Sequence, residues 1–186
     1  IHAEINQLRS DNGGTVSGRL SMANPNLQQV PARNKEFGPM IRSLFVPEEG
    51  HKWGSFDYSQ QEPRMTVHYA ASIGNGYEGS TELVDAYHKA STDFHQTVAD
   101  LVGIERVQAK TIGLGLMYGM GKNKLATSLG VSKEEATLLI SKYNRKVPFV
   151  KMLSDRCMQT ASDKGVIRTK KGRKCRFDLW EPKDFG

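Results

Sequence analysis

The chain has 186 residues, 38% hydrophobic and 25% charged, the balance of a globular protein with one sizeable core or two small ones. Its net charge of +6 and pI of about 9.3 favour a polyanionic partner. No apolar run reaches the roughly 20 residues that span a bilayer, and the polar start from Ile1 to Arg9 shows no signal peptide.

Cys157 and Cys175 match neither a zinc spacing nor a redox pair, so a reducing cytoplasm is expected, with no membrane partner. The first residue is Ile rather than Met, and the sequence reads as a piece of a longer chain.

Residues 11–33 are rich in Gly, Ser, Asn and Pro and predict loops and turns. From Ile41 to Phe56 the pattern is strand-like. One run ends at Phe45 and Val46, Pro47 to Gly50 supplies a turn, and a second run, Trp53 to Phe56, ends at Asp57. A helix is predicted over Glu62–Ser72, with Pro63 tolerated in its first turn, and a glycine-rich loop over Ile73–Ser80.

Further helices are predicted over Asp93–Val102, Glu105–Met117, Ser132–Tyr143 and Val147–Ser162. In the first of these Phe94, Val98, Leu101 and Val102 form one stripe, and Ser132 with Glu135 three residues on makes a capping box. The basic tail from Gly165 to Phe177 predicts a hairpin or loop. The expected fold is α/β in the broad, mixed α+β sense: mainly helical with a small sheet.

Two patterns carry chemistry. A carboxylate at a strand end, such as Asp57, can be held rigidly beside a cleft. Nucleotidyl transfer needs this, because two magnesium ions must lie on the attacking and leaving oxygens. Magnesium takes one or two protein carboxylates together with phosphates. On local sequence alone the plainer reading is that Asp57 only starts a turn.

Arg106, Lys110, Leu114 and Tyr118 are spaced by four, so the face drifts by only about 40° per step and the four share a stripe. An arginine fork and a lysine point charge on one face suit a triphosphate, although a solvated basic face is the plainer reading. Gly113, Gly115 and Gly119 favour the former. An internal helix glycine costs about 1 kcal/mol relative to alanine and marks a bend or a close approach by another molecule. Asp184-Phe185-Gly186 spells a kinase tripeptide without the motifs that must precede it, and is set aside.

These strings have a collective resemblance. Asp57-Tyr58-Ser59-Gln60-x-Glu62-x-Arg64 resembles motif A of the family A DNA polymerases, the bacterial polymerase I type. Arg106-x3-Lys110-x7-Tyr118-Gly119 resembles motif B, the fingers helix of that family. Ser17-Gly18-Arg19-Leu20 and Asn24-Pro25-Asn26-Leu27-Gln28-Gln29-x-Pro31-x-Arg33 resemble its primer-template segment, and Asp93-Phe94-His95 its Asp-x-His. Pro148-x-Val150 and Gly165-Val166-Ile167-x-Thr169-x3-Arg173 continue in family order, so the likeness runs from about Thr15 to Phe177.

The resemblance implies template-directed DNA synthesis, in which a primer 3′-hydroxyl attacks a deoxynucleoside triphosphate and releases pyrophosphate. It makes Asp57 and the Tyr58 carbonyl ligands of two Mg2+ ions. Tyr58, Ser59, Gln60 and Glu62 then border the nucleotide, with Glu62 under the sugar to exclude a 2′-hydroxyl. Arg106, Lys110 and His95 bind the triphosphate, and Asp57, Arg106 and Lys110 form the catalytic set. Leu114 lies at the sugar, Tyr118 stacks at the template base, and Gly119 lets the helix end turn.

Arg19, Asn26, Gln28, Gln29, Arg33, Gly119 and Arg173 fall at DNA-contacting positions. Arg19 reaches the minor groove, whose acceptors are shared by all base pairs. Arg168, Arg173, Lys174 and Arg176 contact template phosphates or stand solvated; the sequence leaves both open. Gln61 and Pro63 replace the usual aliphatics, Gly113 an Asn, and Leu114 an aromatic residue. The last change implies altered discrimination against chain-terminating nucleotides.

The expected organisation is a partial palm over residues 1–72 and helical fingers over 73–186, without thumb, exonuclease or the final palm hairpin. The family carries its second metal-binding carboxylate in a His-Asp dipeptide, and none of the five histidines here is followed by Asp. That carboxylate is expected from the remainder of the polymerase chain or from a complementing second chain. Two rival readings are a related single-chain RNA polymerase, which Glu62 argues against, and a non-catalytic remnant that binds primer-template DNA. The 186 residues alone are expected not to extend a primer; magnesium-dependent extension by the purified chain would refute this.

Overall fold

The computed structural model describes residues 2–8, 13–31, 34–89 and 92–177. Arg33 and the tripeptide Asp184 to Gly186 lie outside the described residues. Among those described, eight helices and four short strands form a mixed α and β fold, as expected. The chain divides into two compact units, residues 1–57 and 58–186. This division by packing falls within residues 1–72, the stretch expected to form a partial palm.

In the first unit β1 (Glu4–Asn6) pairs antiparallel with β2 (Ser21–Ala23), with Ile5 opposite Met22. Gly14 N–H donates to Ser21 Oγ at 3.1 Å and Asn24 Nδ2 to Glu4 Oε2 at 3.1 Å, tying loop to ribbon. A 3-10 turn, Leu27–Gln29, starts at Asn26.

The expected strands between Ile41 and Phe56 are not formed. The first stretch instead ends helix α1 (Phe37–Arg42), started by Asn34, whose Oδ1 accepts from the N–H groups of Glu36 and Phe37 at 2.9 and 2.8 Å. Pro39 sits in its first turn, where no backbone donor is needed. Residues 51–58 are irregular, and Phe56 is 97% exposed. A strand needs a ladder partner for its backbone groups, and among the described residues none pairs with this run.

The second unit holds the core. Helices α2 (Gln61–Ala71), α3 (Ser80–His88), α4 (Phe94–Val102), α5 (Arg106–Met117), α6 (Lys122–Leu129), α7 (Lys133–Lys146) and α8 (Pro148–Lys164) pack together, and a hairpin of β3 (Val166–Arg168) and β4 (Lys174–Arg176) follows. Val67 and Ala70 of α2 are fully buried in this core with residues of α4 to α8, which is why α2 belongs to the second unit. Ser132 Oγ accepts from Glu135 N–H at 3.0 Å and starts α7 as predicted. Helices α3 and α6 were not expected; α6 buries only Leu125 and Ala126, too little to print a stripe on its sequence.

On α4 the buried residues are Phe94, His95, Val98, Ala99 and Val102, while Leu101 is 48% exposed. At 100° per residue the buried arc centres near Val102, His95 lies inside it, and Leu101 falls on its rim. The apolar stripe expected here is thus rotated, and a histidine lies within it.

The three glycines of α5 also have local reasons. A β-carbon on Gly113 would meet the Tyr143 hydroxyl at 3.4 Å, and one on Gly115 would meet Met120 Sδ at 2.9 Å. Both positions serve packing within the protein rather than approach by another molecule. Gly119, at φ +72° with open space around it, is the left-handed residue that ends α5, as expected of it.

Phe94 is wholly buried at the centre of this core. Phe94→Ala is expected to lower stability by about 3–5 kcal/mol, read from the urea midpoint; a loss under about 1 kcal/mol would show that the described packing is wrong.

Candidate nucleotide site

On α5 Arg106, Lys110 and Tyr118 are exposed and Leu114 is half-buried, whereas Ala109, Ile112 and Gly113 turn inward. The four-residue spacing therefore yields one outward stripe, basic at its start and aromatic at its end. Glu105 precedes the helix, and its N–H donates to Gln108 Oε1 at 3.2 Å.

Tyr118 donates its hydroxyl to Glu62 Oε1, joining the end of α5 to the first turn of α2. Thr66 Oγ1 reaches Met117 Sδ at 3.7 Å one turn further along α2. The two carriers of expected sugar and template selectivity, Glu62 and Tyr118, are thus brought together.

Gln60 precedes α2 in the left-handed region, at φ 53° and ψ 41°. Its Oε1 accepts from Phe94 N–H at 2.8 Å and its Nε2 donates to the Thr92 carbonyl at 3.2 Å. Both ends of the amide are used, so Gln60 fastens the motif A turn to the start of α4. Arg64 supports the same turn: its Nε donates to the Ser59 carbonyl at 3.0 Å and its guanidinium lies 4.4 Å over the Tyr87 ring. Burial, the largest influence, raises the Tyr87 phenol to about 12 although Arg64 pulls it down. Tyr58 and Ser59 are exposed.

Asp93 caps α4, with Oδ1 accepting from the N–H groups of His95 and Gln96 at 2.9 and 3.2 Å. Its other oxygen, Oδ2, accepts from Arg106 Nε at 2.8 Å and lies 2.6 Å from Arg106 Nη2. Partial burial works against the Asp93 carboxylate, but the Arg106 bond, the two cap bonds and the Arg106 charge outweigh it and hold its pKa below the usual carboxylate value.

His95 is buried, and its Nδ1 has no hydrogen-bond partner. Burial most of all lowers its proton affinity; Asp93 opposes, and Lys110 and Arg106 lower it further. The imidazole is therefore neutral at pH 7 and keeps one N–H to donate. Lys110 and Arg106, named together with His95 from sequence, both stand close enough for their charge to act on its imidazole.

The basic hairpin docks on α2. Lys170 N–H donates to the Tyr69 hydroxyl at 3.1 Å, and Lys170 Nζ sits 3.1 Å from His68 Nε2 and 2.7 Å from Ser72 Oγ. Arg168, Arg173, Lys174 and Arg176 are exposed around it.

In the first unit Arg19, Asn26, Gln28 and Gln29 are exposed. Asn26 Oδ1 accepts from Gln28 N–H at 3.0 Å and Gln28 Nε2 donates to the Leu20 carbonyl at 3.1 Å, so both side chains also shape their own turn. Asp57 is exposed, one hard anionic donor with the exposed Tyr58 next in sequence. Such a donor pair suits magnesium whose shell is completed by phosphate and water. Among the described residues no three His, Cys, Asp or Glu side chains gather around one point.

Sequence reasoning missed the Gln60 clamp, the Arg64 brace and the Asp93–Arg106 pair. Only Asp93, as an N-cap residue before an apolar stripe, left a readable signal. Gln60→Leu strands one buried donor and one acceptor, so a stability loss of about 2–4 kcal/mol is expected. Unfolding of the variant at the unaltered urea midpoint would overturn the clamp.

Comparisons with known proteins place this geometry. A DNA-directed DNA polymerase of Pseudomonas phage M6 is 38% identical over 99% of this chain and 34% of its own length. DNA polymerase I of Geobacillus stearothermophilus is 37% identical over 91% of this chain and 19% of its own length. Among solved structures, the POL domain of Pol1 from M. smegmatis, in complex with DNA primer-template and dNTP, matches 96% of this chain and 30% of that one, with a TM-score of 0.76 and 29% identity. The chain thus spans between 19% and 34% of the length of these relatives. The model of DNA polymerase family A matches residues 1–184, and the chain belongs to that family.

Proposed function

We propose that this chain supplies the nucleotide-binding part, and one metal-binding carboxylate, of a polymerase that copies DNA from a template. The observation that carries the reading is the outward stripe of α5. It starts in Arg106 and Lys110 beside the neutral His95 and ends in Tyr118 bonded to Glu62. Relatives named as DNA polymerases, and a structural neighbour in complex with DNA primer-template and dNTP, support the substrate class.

In this reading Arg106 and Lys110 bind the triphosphate oxygens and offset the charge that grows on the leaving pyrophosphate. His95 donates its N–H to the same phosphates. Glu62, held by Tyr118, occupies the room a 2′-hydroxyl would need. Tyr58, Ser59 and Gln60 border the nucleotide, Gln60 through the shape of its turn. Leu114 leaves the sugar without an aromatic neighbour.

Asp57 and the Tyr58 carbonyl would hold magnesium, which when bound would neutralise phosphate charge and lower the barrier to attack. The second carboxylate ligand comes from elsewhere in the polymerase or from a second chain. Arg19, Asn26, Gln28, Gln29, Arg33, Gly119 and Arg173 are assigned to primer-template DNA by their places in the family's motifs. No described helix is long and apolar enough to cross a membrane, and the reading places the protein in the cytoplasm, where DNA and deoxynucleotides are.

Calorimetric titration with a deoxynucleoside triphosphate in magnesium tests this directly. The unaltered chain is expected to bind it in preference to the ribonucleotide, with Arg106→Ala and Lys110→Ala each weakening binding about tenfold or more. Salt-dependent binding of primer-template DNA with no nucleotide affinity would instead support the DNA-binding remnant. Preference for the ribonucleotide would support an RNA polymerase.

A further inference from the structure

We infer that Asp93 is a positioning residue for the triphosphate: it fixes the Arg106 guanidinium so that one edge is held and the other is presented to the ligand. This rests on the nucleotide reading above. The two oxygens of Asp93 do different work. Oδ1 caps α4 through His95 and Gln96, whereas Oδ2 alone receives Arg106 Nε and Nη2.

An arginine carries five N–H donors in a planar fork. The Asp93 contact uses the Nε–Nη2 edge. Nη1 and the second proton of Nη2 remain in the same plane, on the side away from Asp93. A guanidinium on an exposed helix start would otherwise sample many rotamers, and ordering it on binding would cost affinity. The ion pair does this ordering beforehand.

The neighbourhood fits an anion. His95 is buried next in sequence but one, with Nδ1 lacking any partner, and Lys110 stands one turn along α5. Asp93 acts on His95 against two cations, Lys110 and Arg106. Its negative charge should repel a triphosphate. A carboxylate at that place therefore makes sense as an orienting group and not as an attractive one.

The two roles separate in one substitution. Asparagine caps helices as well as aspartate, so Asp93→Asn keeps the Oδ1 bonds and puts an amide where Oδ2 received the guanidinium. Titration of inorganic triphosphate and of a deoxynucleoside triphosphate into the chain with magnesium reads the effect. Asp93→Asn is expected to bind both about three- to tenfold more weakly, with its melting temperature within a few degrees of the unaltered chain.

Simple loss of a repelling charge would act in the opposite direction. Unchanged or tighter binding by Asp93→Asn, with the unaltered chain binding normally, would therefore overturn the inference alone. In an Arg106→Ala background Asp93→Asn should have no further effect, because the aspartate acts through the arginine; a full additional loss there would also overturn it. Failure of the unaltered chain to bind either ligand would overturn the nucleotide reading itself.

Discussion

Helix α4 buries His95 together with Phe94, Val98, Ala99 and Val102, because the imidazole lies inside the same arc. Much of the candidate site depends on that constraint. Desolvation keeps the imidazole neutral, and the rotation of α4 that hides it also turns Asp93 to the start of α5. There the carboxylate meets Arg106, and Lys110 comes within electrostatic reach of the histidine. A polar group within an apolar face is costly unless it is used, and here it stands among the groups that would receive phosphate.

The second constraint is how α2 is held against this pair. Gln60 can turn the chain only in a left-handed conformation, which a non-glycine residue adopts at some cost. Its amide recovers that cost through the Phe94 N–H and the Thr92 carbonyl, groups that would otherwise lack partners at the start of α4. Arg64 closes the same turn from the other side through Ser59 and Tyr87. With α2 so placed, Glu62 meets Tyr118 at the far end of α5. Both ends of the α5 stripe are thus anchored by side chains from other elements, one by Asp93 and one by Glu62.

The substituted glycine of motif B follows from packing. Gly113 has the Tyr143 hydroxyl against its backbone, and that tyrosine is buried without a hydrogen-bond partner; burial raises its pKa. A side chain as large as asparagine at position 113 would need the space that Tyr143 occupies. The departure from the family pattern at Gly113 therefore pairs with the bulk of a residue thirty positions later.

What could be read from the residues alone is what local physics sets. Helices α2, α4, α5, α7 and α8 were readable from stripes and caps, because an apolar face repeating every three to four residues has one low-energy arrangement. The basic stripe of α5 was readable because four-residue spacing fixes a shared face, whereas the basic tail was readable only as a hairpin or a loop. Tertiary structure decided the rest.

Trp53 to Phe56 read as a strand but is irregular, since a strand exists only through its partner. Leu101 read as core but lies on the rim, since neighbours choose which part of an arc is buried. The Asp93–Arg106 pair and the Gln60 clamp join residues 13 and more than 30 positions apart. No local pattern records such contacts; they form only when separate helices are packed together.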